Sequence, residues 1–431
     1  MADLAARLAR RRPFYGWYVV GVEFLVGFFR VGYTGFLFGV FLKPMAEEFG
    51  WSRATVTGAV TLGTLVAGTV GYLFGRTLDR SGPRAMVAGA AVVMGLSFLA
   101  LAGTQSVLWY YLAYAVGRAV AQSALGEPMV AAVVAKWFVR LRGRAIAIAS
   151  TGGPLGGALL AVVTERVIAA AGWRVAWATF GGYALLLVAP AALLLLRRSP
   201  EDLGLRPDGD AGPAAQASGT RPLRARPDVS LTFPRALRTR SFWLLSLVGG
   251  LGSLTSTGVS FHLVPRFTDV GVHPAAAAGA VGLYTLAQAV AMLGWGFAAE
   301  RLPVRWALVA VLGAGAGGTF LVARAASVGE AYLAVVVYGS AMGGWFQLMQ
   351  VAWADYFGRQ HLGSIRGLSL FFQLVGNALG AFVSALVYDV TGDYRAAFLL
   401  YVGVLGCCAG AIALAAPPRR VGAEAPQAAL R

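Results

Sequence analysis

The feature that most constrains this chain is a succession of apolar runs, each about 20 residues or longer, separated by short loops that carry most of the charge. They fall near 14–40, 54–75, 84–103, 106–135, 145–168, 173–196, 241–266, 276–299, 304–324, 329–354, 365–388 and 395–416. At about 1.5 Å per residue a helix of that length crosses a hydrocarbon core of about 30 Å. Hydrocarbon offers no partner for a backbone N–H or C=O, so lipid-exposed runs of this kind must be helical. A soluble core cannot absorb the excess: 58% of the 431 residues are hydrophobic and only 13% charged, about half the charge of an ordinary soluble domain. The expected fold class is therefore all-α integral membrane, with twelve transmembrane helices. Collagen, a disordered chain and a secreted disulfide scaffold are excluded, the last because Cys407 and Cys408 stand alone and adjacent.

The chain opens with Arg7, Arg10, Arg11 and Arg12 before its first apolar run, in the manner of a signal peptide. That run extends from Phe14 to Leu42 and many like it follow, so it reads as the first membrane helix. The formal net charge of +17 raises nucleic acid as a partner, yet the positives lie in short clusters between spans, with no aromatic-interleaved basic stripe. They read instead as topology signals. With the N-terminus inside, about three quarters of the 36 Lys and Arg fall on the cytoplasmic side. A multi-pass protein of the cell (inner) membrane is expected, with both termini cytoplasmic and the lipid bilayer, not nucleic acid, as its surroundings.

The longest loop, 197–240, is rich in Pro, Ala, Gly and Arg and divides the spans six and six. An internal repeat agrees with that division. Gly75-Arg-Thr-Leu-Asp79-Arg80-Ser-Gly82-Pro-Arg84 corresponds to Gly296-Phe-Ala-Ala-Glu300-Arg301-Leu-Pro-Val-Arg305 at an offset of 221. Gly50-Trp-Ser-Arg-Ala54 falls on Gly271-Val-His-Pro-Ala275 and Trp173-Arg174 on Tyr394-Arg395 at the same offset, with Arg144 on Arg366 at 222. The expected organisation is an N-terminal six-helix bundle (1–196), a cytoplasmic linker (197–240), a C-terminal six-helix bundle (241–418) and a tail (419–431).

At Gly75-x-x-x-Asp79-Arg80-x-Gly82-x-Arg84, between spans two and three, with its echo at Glu300, Arg301 and Arg305 between spans eight and nine, the chain resembles the major facilitator superfamily over nearly its whole length, Pro13 to Pro417. The resemblance implies two six-helix pseudo-repeats and a loop motif that stabilises the outward-open state, with Asp79 and Arg84 inheriting that gating role. Physically, Gly75 permits close helix approach, and a carboxylate beside a helix terminus makes a contact that exists in one conformation only. Phe14-Tyr-Gly-Trp17, the segment Phe41 to Arg53 and Lys136-Trp-Phe-Val-Arg-Leu-Arg-Gly-Arg-Ala145 are similar to the monocarboxylate and oxalate/formate antiporter branch. That branch places key basic residues in spans eight and eleven; here those spans hold none beyond the opening Arg366, so a particular cargo does not transfer.

Charges inside spans are costly unless they face a partner or water. Glu23 and Arg30 lie seven residues apart, on one face of span one, and Tyr114, Arg118 and Gln122 form an i, i+4, i+8 stripe on span four. Arg30 and Arg118 fall at one depth. In the resembling fold spans one and four line the central cavity, so the two guanidiniums are expected to hold a carboxylate there through paired hydrogen bonds. Glu23 is the expected counter-ion of the empty cavity and the proton-coupling candidate; a structural Arg–Glu pair locking span one to span four is the plainer alternative. On a straight helix Glu127, nine residues from Arg118, points half a turn away, with Pro128 beside it able to bend that register. Gln288, Tyr338 and Asn377 are added as second-half substrate contacts, with Tyr284, Gln347 and Gln373 behind them.

Enzyme signatures are missing. Gly313-Ala-Gly-Ala-Gly-Gly318 has dinucleotide-loop spacing but no preceding strand, and reads as helix packing. The only lysines, Lys43 and Lys136, do not follow glycine, so no phosphate loop of the nucleotide-triphosphate type is present. No cofactor, no metal and no catalytic residue is expected. The expectation is a monomeric secondary transporter moving a small organic carboxylate anion by alternating access, with protons or a counter-anion as coupling partner. Export of a larger amphipathic or aromatic compound is the alternative.

Overall fold

The computed structural model describes residues 14–33, 35–209 and 230–416. The N-terminal arginines, the middle of the linker and the tail 419–431 lie outside the described residues, as do the side chains of Lys43 and Arg53. Among the described residues every expected apolar run is helical over most of its length. Span two is Arg53–Ser81, span three Pro83–Ala102, span eight Pro274–Ala298, span nine Val304–Arg324, span ten Val328–Phe357, span eleven Leu362–Thr391 and span twelve Arg395–Leu414. Helix starts follow local chemistry. Ser52, Ser106, Thr239 and Ser327 each accept a hydrogen bond from the backbone N–H three residues on, giving one otherwise unpaired first-turn N–H a partner.

The remaining spans are interrupted. Span one is Gly16–Arg30, one 3-10 turn at Val31–Tyr33, then Gly35–Phe49. Span four is Val107–Ser123 and Glu127–Trp137, with Gly126 extended between them. Span seven is Arg240–Ser260 followed by Leu263–Asp269. Spans five and six run through Arg142–Ser150 and Gly152–Tyr183 and on to Leu195, divided where Gly172 takes φ +85°, a backbone setting that a residue with a Cβ rarely adopts.

The outward faces are apolar, as lipid requires: Leu186, Val390, Leu108, Leu333 and Leu65 are all at least 60% exposed. Among the described residues, eight stretches are by themselves long and apolar enough to cross a membrane. Span one and span four miss that criterion because their breaks divide them into helices of 15, 15, 17 and 11 residues. Across the molecule span two lies along span eleven, and the start of span five packs on span eight.

Candidate functional site

The breaks in spans one and four create the site. Arg30 closes the first helix of span one, and Glu127 opens the second helix of span four. A cation at a helix C-terminus and an anion at an N-terminus each gain from the backbone dipoles. The two meet there: Arg30 Nη2 donates to Glu127 Oε1 at 2.8 Å. The counter-ion of Arg30 is thus Glu127, not Glu23. Glu127 lines the cavity and Arg118 does not, in keeping with the half-turn between them, although helix Val107–Ser123 stops and a new one starts at Glu127. Glu23 is 1% exposed with Oε1 unpartnered, against the first-half core.

Arg30 and Glu127 stand on the wall of a cavity of about 160 Å³ between the two halves of the chain. Gln122 and Pro128 join them from the first half, and Ser253, Trp345, Gln350, Gln373 and Asn377 from the second. Several polar atoms there are buried and, among the described residues, without a protein partner: Glu127 Oε2, Gln122 Oε1 and Arg30 Nε. Of the substrate contacts expected from sequence, Arg30, Gln122 and Asn377 line this cavity; Asn377 Oδ1 lies 2.7 Å from the Thr257 hydroxyl.

The other expected contacts, Tyr114, Arg118, Gln288 and Tyr338, do not line this cavity and are held by neighbours in their own halves. Arg118 Nε donates to Thr64 Oγ1 at 2.8 Å and its Nη1 to the Tyr33 carbonyl, the acceptor left over by the break in span one. Tyr33 is fixed further by its hydroxyl against Ser97 and by stacking on Phe98 at 4.4 Å. Tyr114 is buried beside Arg118 and edge-on to Tyr33. Tyr338 donates to the Thr255 carbonyl and stacks on Tyr284, whose hydroxyl Gln288 Nε2 reaches at 3.4 Å. The glycine run of span nine packs as its composition suggests: a Cβ on Gly318 would stand 2.7 Å from the Tyr338 backbone.

A second group of contacts closes one end of the molecule, the end where most loop arginines gather. Asp79 accepts from Gly363 N at 3.0 Å and Ser364 N at 2.7 Å, the first turn of span eleven, with Lys136 Nζ at 3.9 Å. Its repeat counterpart Glu300 mirrors this on span five: it accepts from Arg144 N at 3.3 Å, Nε at 2.9 Å and Nη2 at 2.8 Å. Beside each carboxylate two glycines bring backbones together. A Cβ on Gly75 would stand 2.1 Å from the Gly363 oxygen, and one on Gly143 would stand 2.1 Å from the Gly296 oxygen. Arg142 to Asp355 at 2.9 Å and Gln347 Nε2 to the Gly143 carbonyl at 2.9 Å complete the closure.

Other motif residues do different work. Gly82 takes φ +78° and lets Pro83 start span three. The resemblance implies a gating role for Arg84, but its Nε donates to the Leu193 carbonyl at 2.7 Å, tying spans three and six within the first half. Arg80 and Arg301 are exposed, and Arg305 lies over the Trp306 ring at 5.2 Å.

Sequence reasoning missed that both described ends of the linker grip this closed end. Asp208 accepts from the backbone N–H groups of Val139, Arg140 and Leu141, in the loop between spans four and five. Ser230 Oγ accepts from those of Arg359 and Gln360, in the equivalent loop between spans ten and eleven. Arg359 also donates to Glu201 and to the Lys136 carbonyl. An Asp or Ser in a Pro-rich linker carries no sequence signal for such a contact. Missed too was the depth of Arg366, which is 1% exposed.

A helical membrane protein whose halves meet around a small polar cavity and lock at one end through matched carboxylates has the architecture of a carrier. The chain belongs to the Major Facilitator Superfamily, whose profile matches residues 24–281 and 251–430. It is accordingly a multi-pass membrane protein and a secondary transporter, not an enzyme. Human monocarboxylate transporter 11 is 28% identical over 396 residues, covering 90% of this chain and 80% of that one. The MFS-type transporter pytF of Aspergillus terreus is 26% identical over 294 residues, 67% of this chain and 90% of that one. In three dimensions the chain is similar to the proton:xylose symporter XylE, with a TM-score of 0.69 at 16% identity over 92% of this chain and 94% of that chain.

Proposed function

We propose that this carrier moves a small organic carboxylate anion, which replaces Glu127 as the partner of Arg30. The observation that carries the reading is the Arg30–Glu127 pair on the cavity wall, with side chains 12% and 30% exposed. A guanidinium holds a carboxylate in a planar, two-pronged grip and stays charged, so a soluble carboxylate competes with the resident one on equal chemical terms. The size of the cavity supports a small cargo, since about 150 Å³ accommodates benzene. Distant relatives named monocarboxylate transporters support the same class. Arg118, Tyr114, Gln288 and Tyr338 shape the wall from behind, and Gln122 and Asn377 orient the cargo's remaining polar groups.

In this reading the bundles 1–196 and 241–418 rock about the cavity. The loop arginines mark the cytoplasmic side of the cell membrane, so the closed end is the cytoplasmic gate and the arrangement is outward-facing. Protons or a counter-anion balance the movement, with Glu23 as the proton-coupling residue beside Glu127. The test is uptake of labelled mono- and dicarboxylates into proteoliposomes. Arg30→Ala is expected to lose at least about tenfold of carboxylate uptake at matched amounts of folded protein, and Glu23→Gln to lose pH-dependent uptake while retaining counterflow. Wild-type protein that ignores carboxylates but moves neutral compounds, equally well in Arg30→Ala, would overturn the reading.

A further inference from the structure

Arg366 is the buried charge that the cavity site does not yet use. Although it stands only five residues into span eleven, its side chain is enclosed, and among the described residues it meets no carboxylate. Its Nη2 donates to Gln350 Oε1 at 2.9 Å and its Nη1 to Ser369 Oγ at 3.1 Å, its guanidinium carbon lies 5.2 Å from the centre of the Trp353 ring, and its Nε has no partner among the described residues. The repeat makes this notable. Arg144, the corresponding residue of span five, has Glu300, whereas Asp79, the counterpart of Glu300, is spent on Gly363, Ser364 and Lys136. A buried permanent cation satisfied only by neutral oxygens is costly to maintain.

Its neighbour connects it to the cavity. Gln350 lines the cavity with Gln373 and Asn377 of the second half and Arg30 and Glu127 of the first. With its oxygen held on the Arg366 guanidinium, the Gln350 amide has its NH2 turned away from that cation as a donor, and hydrogen bonds in a chain polarise one another in the same sense. We infer that Arg366, acting through the Gln350 amide, presents positive character to the cavity from the second half, so that a bound anion is held between Arg30 and Gln350. Arg366 is then a positioning residue for anion selectivity. The inference rests on the carboxylate reading above and deepens it by giving the second half a share in recognition.

The test is binding of acetate, lactate, succinate and benzoate, each paired with its amide, to full-length carrier in nanodiscs. Arg366→Gln is the informative variant, because it removes the buried charge without adding one to the cavity wall, whereas Gln350→Glu itself brings a carboxylate to that wall. A guanidinium that merely props the helix would leave the carboxylate-to-amide preference of this variant as in wild type. The inference expects that preference to fall at least about tenfold, with amide affinity within about twofold, and Arg366→Lys to restore part of it. If Arg366→Gln keeps the wild-type preference while Arg30→Ala loses it, the role of Arg366 is overturned and the carboxylate reading stands. If wild-type carrier shows no preference for the charged member of any pair, the carboxylate reading itself fails and this inference fails with it.

Discussion

Arg30 and Glu127 hold each other at 2.8 Å in a place where either alone would be an uncompensated intramembrane charge. Among the described residues Glu127 Oε2 and Arg30 Nε have no protein partner, so both are open to a third group. Glu127→Gln keeps the shape and removes the resident anion. Hydrogen bonds to charged groups contribute about 1.5–3 kcal/mol, so equilibrium binding of a labelled carboxylate should tighten at least about tenfold in this variant. Exchange should persist while net uptake falls, because the empty variant carries an unpaired guanidinium through its return step. Weaker binding in Glu127→Gln would mean that Glu127 orients Arg30 and does not compete with the cargo. Arg118 behaves differently: its partners are neutral oxygens around the break in span one, and its first job is to satisfy the Tyr33 carbonyl.

Helix breaks are what turn these spans into a site, and they were the least visible feature in the sequence. The apolar runs announce helices because lipid leaves no other backbone solution, yet Val31-Gly32-Tyr33 and Ala124-Leu125-Gly126 are as apolar as their flanks, so nothing in composition marks where the helix stops. Only Pro128 hinted at it, and the pairing of Glu127 with Arg30 could not be read from spacing in consequence. Beyond the apolar run of span one, helix Gly35–Phe49 is anchored by Glu48, which accepts from Trp173 Nε1 and Arg174 Nη1, both at 2.6 Å, where span six begins. Those hydrogen bonds, from Arg174 first and Trp173 second, hold the Glu48 carboxyl below its ordinary range. A folded-state value below the unfolded one contributes stability at pH above the unfolded value and loses it as pH falls through the folded one. The pair is 42% exposed on both sides, so the effect should be small, about 0.2–1 kcal/mol. The melting-temperature gap between wild type and Glu48→Gln should accordingly be constant above about pH 6 and close progressively below about pH 4. A gap that does not change with pH would assign the anchoring to packing alone.

At the scale of the whole molecule the repeat was legible as an offset of 221 between loop motifs, while its use was not. Each motif carboxylate crosses to the other half, Asp79 to the start of span eleven and Glu300 to the start of span five, and spacing within one copy says nothing about a partner in the other. If the halves move as rigid bodies, both contacts break in the same transition and bear on one equilibrium. Asp79→Asn removes a carboxylate from a helix N-terminus, about 0.3–2 kcal/mol, or roughly a 2- to 30-fold shift toward the state opened at this end. Glu300→Gln removes a partly exposed ion pair, about 0.2–1 kcal/mol, or roughly 1.4- to 5-fold. Energies at separate sites on one equilibrium add, so the double variant should show the product of the two shifts. Distances between spin labels on exposed loop positions of the two halves report the populations directly. A double variant no more open than the stronger single one would mean that the two contacts guard separate local motions, and the picture of two bundles rocking as units would have to be given up for one in which spans two and eight move on their own.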